Sequence, residues 1–173
     1  MKPRPLIDQL ESFPLILTPV IEEWATDEAR WRPDPKAWSV IEILSHMLYA
    51  EIEDFRPRLR QTLADPDSFW SPIDPEGVIH ERDFQNDDPR EQIARFATER
   101  ADSVAWLRSL PTDAPWENSY AHPSLGPLRA GDLLAAWTAH DALHLRQIAQ
   151  RRHQITQRDS APFISDYAGR WPG

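Results

Sequence analysis

The sequence has 173 residues, 28 acidic against 19 basic side chains, a formal charge of −9 and no cysteine. A chain this acidic has no general electrostatic route to nucleic acid, where Lys and Arg must neutralise phosphates, and zero Cys excludes disulfide scaffolds, Cys-ligated zinc, iron–sulfur clusters and protein thiol chemistry. No apolar run approaches the roughly 18 residues of a membrane span, and MKPRPLIDQLE has no apolar core behind its basic residues, so one cytoplasmic domain over 1–173, with neither membrane nor nucleic acid as partner, is expected.

Five glycines argue against a chain of tight hairpins or phosphate-cradling loops, and 17 prolines cut the chain into helical blocks. In the first block, from about 6 to 24, Leu15, Ile16, Val20, Ile21 and Trp24 fall on a helical period; Pro14 and Pro19 predict a broken helix or one starting near Pro14. A Pro-rich loop follows over 30–36. Ser39-Val40-Ile41-Glu42 then reads as a capping box, with Trp38 and Ile43 placed for a hydrophobic staple. The helix it opens is expected from Val40 to about Leu63 with a bend near Pro57; Val40, Leu44, Met47, Leu48 and Phe55 form its apolar stripe, widened by Ile43 and Ala50. The polar stretch 65–87 is a long connection of the kind that often shapes a site. Asp88-Pro89-Arg90-Glu91 starts a third helix as cap, Pro at the first position and acid in the first turn; Ile93, Phe96, Ala97, Val104, Leu107 and Leu110 continue it to Pro111. After a loop holding His122-Pro123-Ser124-Leu125-Gly126, a fourth helix is expected over 130–153, and Phe163, Ile164, Tyr167 and Trp171 of the tail are available to dock on the body. No strand is predicted. The fold class is all-α, a four-helix bundle, in which sites are built from side chains on facing helices.

The six histidines are His46, His80, His122, His140, His144 and His153. His140 and His144, four apart, lie about 40° apart around one helix and one turn apart along it. Both imidazoles can therefore reach one metal ion at about 2.1 Å. His46, from the middle of the second helix, would complete a three-His face with an open position, the arrangement of a catalytic metal. The spacing leaves a second reading open, core histidines bonded to Glu or backbone. His80, His122 and His153 read as exposed or capping imidazoles.

The residues Arg32-Pro33-Asp34-Pro35-Lys36-Ala37-Trp38-Ser39, Ile43-Leu44-Ser45-His46-Met47, the His122–Gly126 block and His140-Asp141-Ala142-Leu143-His144-Leu145-Arg146-Gln147-Ile148 together resemble the DinB-like superfamily, which includes the YfiT-like thiol transferases. The resemblance runs from about 30 to 150. It implies an up-down-down-up bundle with a long crossover between the second and third helices, rather than plain alternation. It further implies one divalent metal ion (zinc, nickel or iron) on His46, His140 and His144, and a homodimer.

A three-His metal can polarise a substrate, lower the pKa of bound water or hold a thiolate. By the resemblance, the chain is expected to be a metal-dependent transferase joining a low-molecular-weight thiol, such as bacillithiol or mycothiol, to a small electrophilic substrate. A metal-dependent hydrolase and a non-catalytic, metal-stabilised binding module are the alternatives. Glu42, one turn before His46, could accept from an imidazole N–H or serve only as the capping-box carboxylate. Gln147, Trp38, Tyr49 and Trp137 are pocket candidates. Asp141 and Arg146 are expected to point away from the ligands towards the helix surface or a dimer contact.

Overall fold

A computed structural model describes residues 2–74, 77 and 84–171. The helices are α1 (Arg4–Glu22), α2 (Thr26–Arg30), α3 (Val40–Tyr49), which runs through a π-helical turn (Ala50–Phe55) into α4 (Arg56–Ala64), then α5 (Pro89–Ser109) and α6 (Ala130–Ser160); short 3-10 turns cover Phe84–Asn86 and Asp166–Ala168. Two strands, β1 (Ser119–His122) and β2 (Gly126–Arg129), pair antiparallel ahead of α6. No helix of the described residues is long and apolar enough to cross a membrane.

Long-range side-chain contacts give the helix directions. Arg90 at the start of α5 reaches the carbonyl of Glu22 at the end of α1, and Arg108 near the end of α5 reaches Asp8 and Glu11, so α1 and α5 are antiparallel. Trp38 and Leu63 offer their carbonyls to Arg151 and Asn118 respectively, so α3–α4 and α6 are antiparallel as well. Arg152, late in α6, reaches Glu23 and Glu28 just beyond α1, while Ile7 and Leu10 of α1 cluster with Ala130 and Leu134 of early α6, so those two helices run parallel. The bundle is therefore up-down-down-up. Part of the stretch that joins α4 to α5, His80 included, lies outside the described residues.

The two predicted helix starts form as their caps dictate. Ser39 and Glu42 make both bonds of the capping box, with the Ser39 amide donating to the Glu42 carboxylate at 2.8 Å. Asp88 accepts from the amides of Arg90 and Glu91. The long second helix does not run as one regular α-helix. Pro57 cannot donate to the carbonyl one turn back and its ring crowds that position; the chain answers by widening to π geometry over Ala50–Phe55, a local change that often marks functional sites.

Four expectations are corrected. First, α1 is continuous across Pro14 and Pro19. Pro14 leaves the carbonyl of Leu10 without its helical donor, and the buried guanidinium of Arg100 supplies one at 3.2 Å. Second, the buried face of α1 is Ile7, Leu10, Phe13, Leu17 and Ile21, continued by Trp24, whereas Leu15, Ile16 and Val20 face outward, Leu15 at 78% exposure. Third, the loop before α6 is a hairpin. His122 Nδ1 accepts from the amides of Ser124 and Leu125, and Gly126 takes the left-handed φ of +76° that closes the turn. Fourth, α6 extends to Ser160, and Phe163, Ile164 and Tyr167 stay exposed; of the tail aromatics Trp171 comes near the body, its ring 5.5 Å from that of His153.

The core has two apolar clusters. One gathers Leu17, Ile21, Trp24, Leu44, Met47, Phe96 and Ile148. The other, towards the hairpin, gathers Leu10, Leu59, Trp70, Leu107, Tyr120, Leu134 and Trp137. Trp70 and Tyr120 stack at 4.0 Å, tying the start of the crossover to the hairpin. Along α6, His140 and His144 fall between residues of the two clusters.

Candidate metal centre

α3 is buried along its whole inner length, every residue from Val40 to Leu48 included. Its capping box fixes where the first turn begins and so how His46 is aimed. On α6, His140 and His144 occupy successive turns facing α3. His46 Nε2 lies 3.2 Å from His140 Nε2, which lies 2.9 Å from His144 Nε2. One ring nitrogen from each of the three falls within 4.8 Å of the other two. Two imidazoles sharing a tetrahedral ion at about 2.1 Å would place their nitrogens roughly 3.4 Å apart, so the spacing suits a single ion.

The donor set fits as well. Gln147 Oε1, an acceptor, lies 2.9 Å from His144 Nδ1, which places the proton of a neutral imidazole on Nδ1 and leaves a lone pair on Nε2, aimed at its neighbours. Burial, then the neighbouring His144, His46 and Arg100, pushes the His140 imidazole down to about 2; burial also lowers His144, against its bond to Gln147. Neutral imidazoles with converging lone pairs are the form that binds metal.

Aromatic rings surround the group. Trp38 lies 5.0 Å from His46, and Phe55, at the end of the π turn, lies 5.0 Å from His140. Trp137 is one ring further away, stacked on Phe55 at 5.8 Å with its indole N–H donating to Glu51. Tyr49 lines a cavity of about 200 Å³ with Ser45, Leu48, Ile52, Phe84 and Gln92, a lining that does not include the three histidines. Of the two roles open to Glu42, the structure places it in the cap: its carboxylate bonds Ser39 and pairs with Arg32, and these bonds hold it below the usual carboxylate range against the effect of burial.

Asp141 overturns its expected surface position. It is 3% exposed and accepts both ends of the Arg100 guanidinium, at 2.6 and 2.9 Å. Arg100 Nε also bonds Glu51, itself 1% exposed, at 3.1 Å. α6 thus turns two faces inward, a half-buried one carrying His140 and His144 and a buried one carrying Asp141. Arg100 and Glu51 are not among the residues expected at the site. The signal that could have found them is a carboxylate beside each ligand segment, with one arginine on the facing helix.

A family model described as the DinB superfamily matches residues 9–148. No curated protein matches the sequence. Among solved structures the chain is similar to YfiT from Bacillus subtilis, described as a probable metal-dependent hydrolase with an unusual four-helix bundle topology, at a TM-score of 0.78 and 17% identity, over 89% of this chain and 87% of that one.

Proposed function

The chain belongs to the DinB superfamily, and on that premise we propose that it is a metal-dependent transferase in which His46, His140 and His144 hold one divalent ion and a low-molecular-weight thiol attacks a small electrophile. The observation that carries the reading is the meeting of the three Nε2 atoms, with Gln147 fixing the His144 tautomer. Zinc, nickel and iron all suit imidazole ligands. When bound, such an ion supplies Lewis acidity and favours the deprotonated form of a group brought beside it.

The chain's own residues supply binding and shielding. Gln147 orients His144, Trp38 and Phe55 limit water around the imidazoles, and burial keeps the rings neutral and ready to ligate. The sequence contains no Cys, so the sulfur nucleophile arrives with a second small molecule. With an epoxide, one C–S bond forms, one C–O bond breaks and the thiol proton ends on the ring oxygen. The proposed setting is the cytoplasm, where small thiols are kept reduced. The proposed protein partner is a second copy of the chain, to be checked by light scattering.

Hydrolysis is the second reading, favoured by the likeness to YfiT, described as a probable metal-dependent hydrolase. One experiment separates the two. The purified protein is analysed for metal, reloaded with zinc, nickel or iron, and offered epoxide and alkyl-halide substrates with and without a panel of small thiols. Thiol-dependent product formation is the expected result. Turnover without thiol assigns the hydrolase instead. A loaded protein that is inert but loses its fold in chelator would be a metal-stabilised binding module, and a chain that takes up no metal after reloading overturns the proposal.

A further inference from the structure

The Arg100 cluster cross-links four segments. Arg100 on α5 bonds Glu51 in the π turn, Asp141 on α6 and the Leu10 carbonyl on α1, and Glu51 also accepts from Trp137 on α6. The two carboxylates sit beside the metal-site residues in the chain: Glu51 five positions after His46, Asp141 directly after His140. A slide or rotation of α6 against α3 that separated His140 from His46 would break bonds to Arg100 at the same time. A second route passes through packing, since Trp137 stacks on Phe55, whose edge meets His140. Guanidinium is suited to this task because its fork is planar and its geometry rigid.

We propose that Arg100, held by Glu51 and Asp141, is a positioning residue that sets the spacing of the three imidazoles. This rests on the metal reading above. Arg100 does not touch the ligand nitrogens; it fixes the helices that carry them, as partners outside a metal's ligand set do. Glu51, Asp141 and the Leu10 carbonyl together occupy its donors, so it is not itself available to a ligand or to solvent.

Cobalt(II) tests the proposal without relying on turnover, through its affinity and through the visible absorption that reports ligand geometry. Three proteins are titrated: the parent, Asp141→Asn, and the triple variant Glu51→Gln, Arg100→Met, Asp141→Leu. The triple variant replaces the ions with groups of similar volume, an exchange that buried ion clusters often tolerate, and the amide oxygen that Glu51→Gln introduces still serves the Trp137 indole. The expected result is roughly 10- to 100-fold weaker cobalt binding in the triple variant, a smaller loss in Asp141→Asn, and an altered spectrum in both. A triple variant that melts cooperatively yet binds cobalt with the parent's affinity and spectrum overturns the proposal. Should the triple variant fail to fold, Asp141→Asn decides: parental affinity and spectrum there overturn it equally. A parent that binds no cobalt sinks the metal reading itself, a result distinct from either variant outcome.

Discussion

Among the described residues two polar clusters lie side by side in the bundle, and they differ in chemistry. Around Arg100 every contact joins a donor to an acceptor: two carboxylates, a carbonyl and an indole close the set. Among the three histidines, ring nitrogen faces ring nitrogen, with Nε2 atoms 3.2 and 2.9 Å apart and two of the rings held neutral by burial. A closed cluster is a structural joint. Neutral imidazoles whose ring nitrogens converge can present their lone pairs to one cation. The two can sit together because α6 turns two adjacent faces inward.

The sharpest way to break the contrast is His140→Ala. Removing the nitrogen that meets both others should eliminate stoichiometric zinc uptake, while urea unfolding of the metal-free variant stays within about 2 kcal/mol of the parent; unchanged uptake by calorimetry would deny the cluster its role. The reverse pattern is expected at the other cluster, where Arg100→Met, leaving two carboxylates buried without their cation, should cost about 3–5 kcal/mol in chemical denaturation.

Acidity should act mainly on the open cluster. His140 and His144 stay neutral in the fold below the pH at which an unfolded histidine charges, near 6.5. The unfolded chain then binds more protons, so the metal-free protein should hold full stability above pH 6.5 and lose it as pH falls, by up to about 1.4 kcal/mol per pH unit for each histidine. Urea midpoints measured from pH 7.5 down to 5.5 check this, and a flat profile would contradict the burial of neutral rings. Gln147→Leu, which removes the bond that sets the His144 tautomer, should weaken zinc roughly tenfold with little change in melting temperature. The smallest effect expected is Ser39→Ala, about 1 kcal/mol of stability from the lost cap.

Local chemistry made part of this legible. Ser39-x-x-Glu42 and Asp88-Pro89 announce helix starts because their side chains satisfy amides within three residues, and the structure forms both. The four-residue spacing of His140 and His144 is likewise a property of one helix. His46 was legible as a candidate from its place in the middle of the apolar second helix. What escaped depends on the third dimension. The outward turn of Leu15 and Ile16 could not be read from periodicity alone, since α1 carries apolar residues on both faces. The Leu10 carbonyl that Pro14 leaves without a helical donor finds one in a guanidinium 90 positions further along the chain. Asp141 and Arg100 belong to residue types that are almost never fully buried unless paired, and that pairing spans 41 positions. The hairpin at 119–129 hides behind a single glycine and a histidine acting as a turn acceptor.

His46 and His140 are 94 residues apart in the chain, and that distance has a consequence for the order of assembly. Closing a disordered loop of that length costs roughly 4 kcal/mol, whereas His140 and His144 become neighbours as soon as one helix forms. An ion offered to the nascent chain would first meet that local pair and gain its third nitrogen once α3 had come to lie against α6. Three-coordinate capture would therefore not nucleate this bundle. It would come late, as the sign that the chain has finished closing on itself.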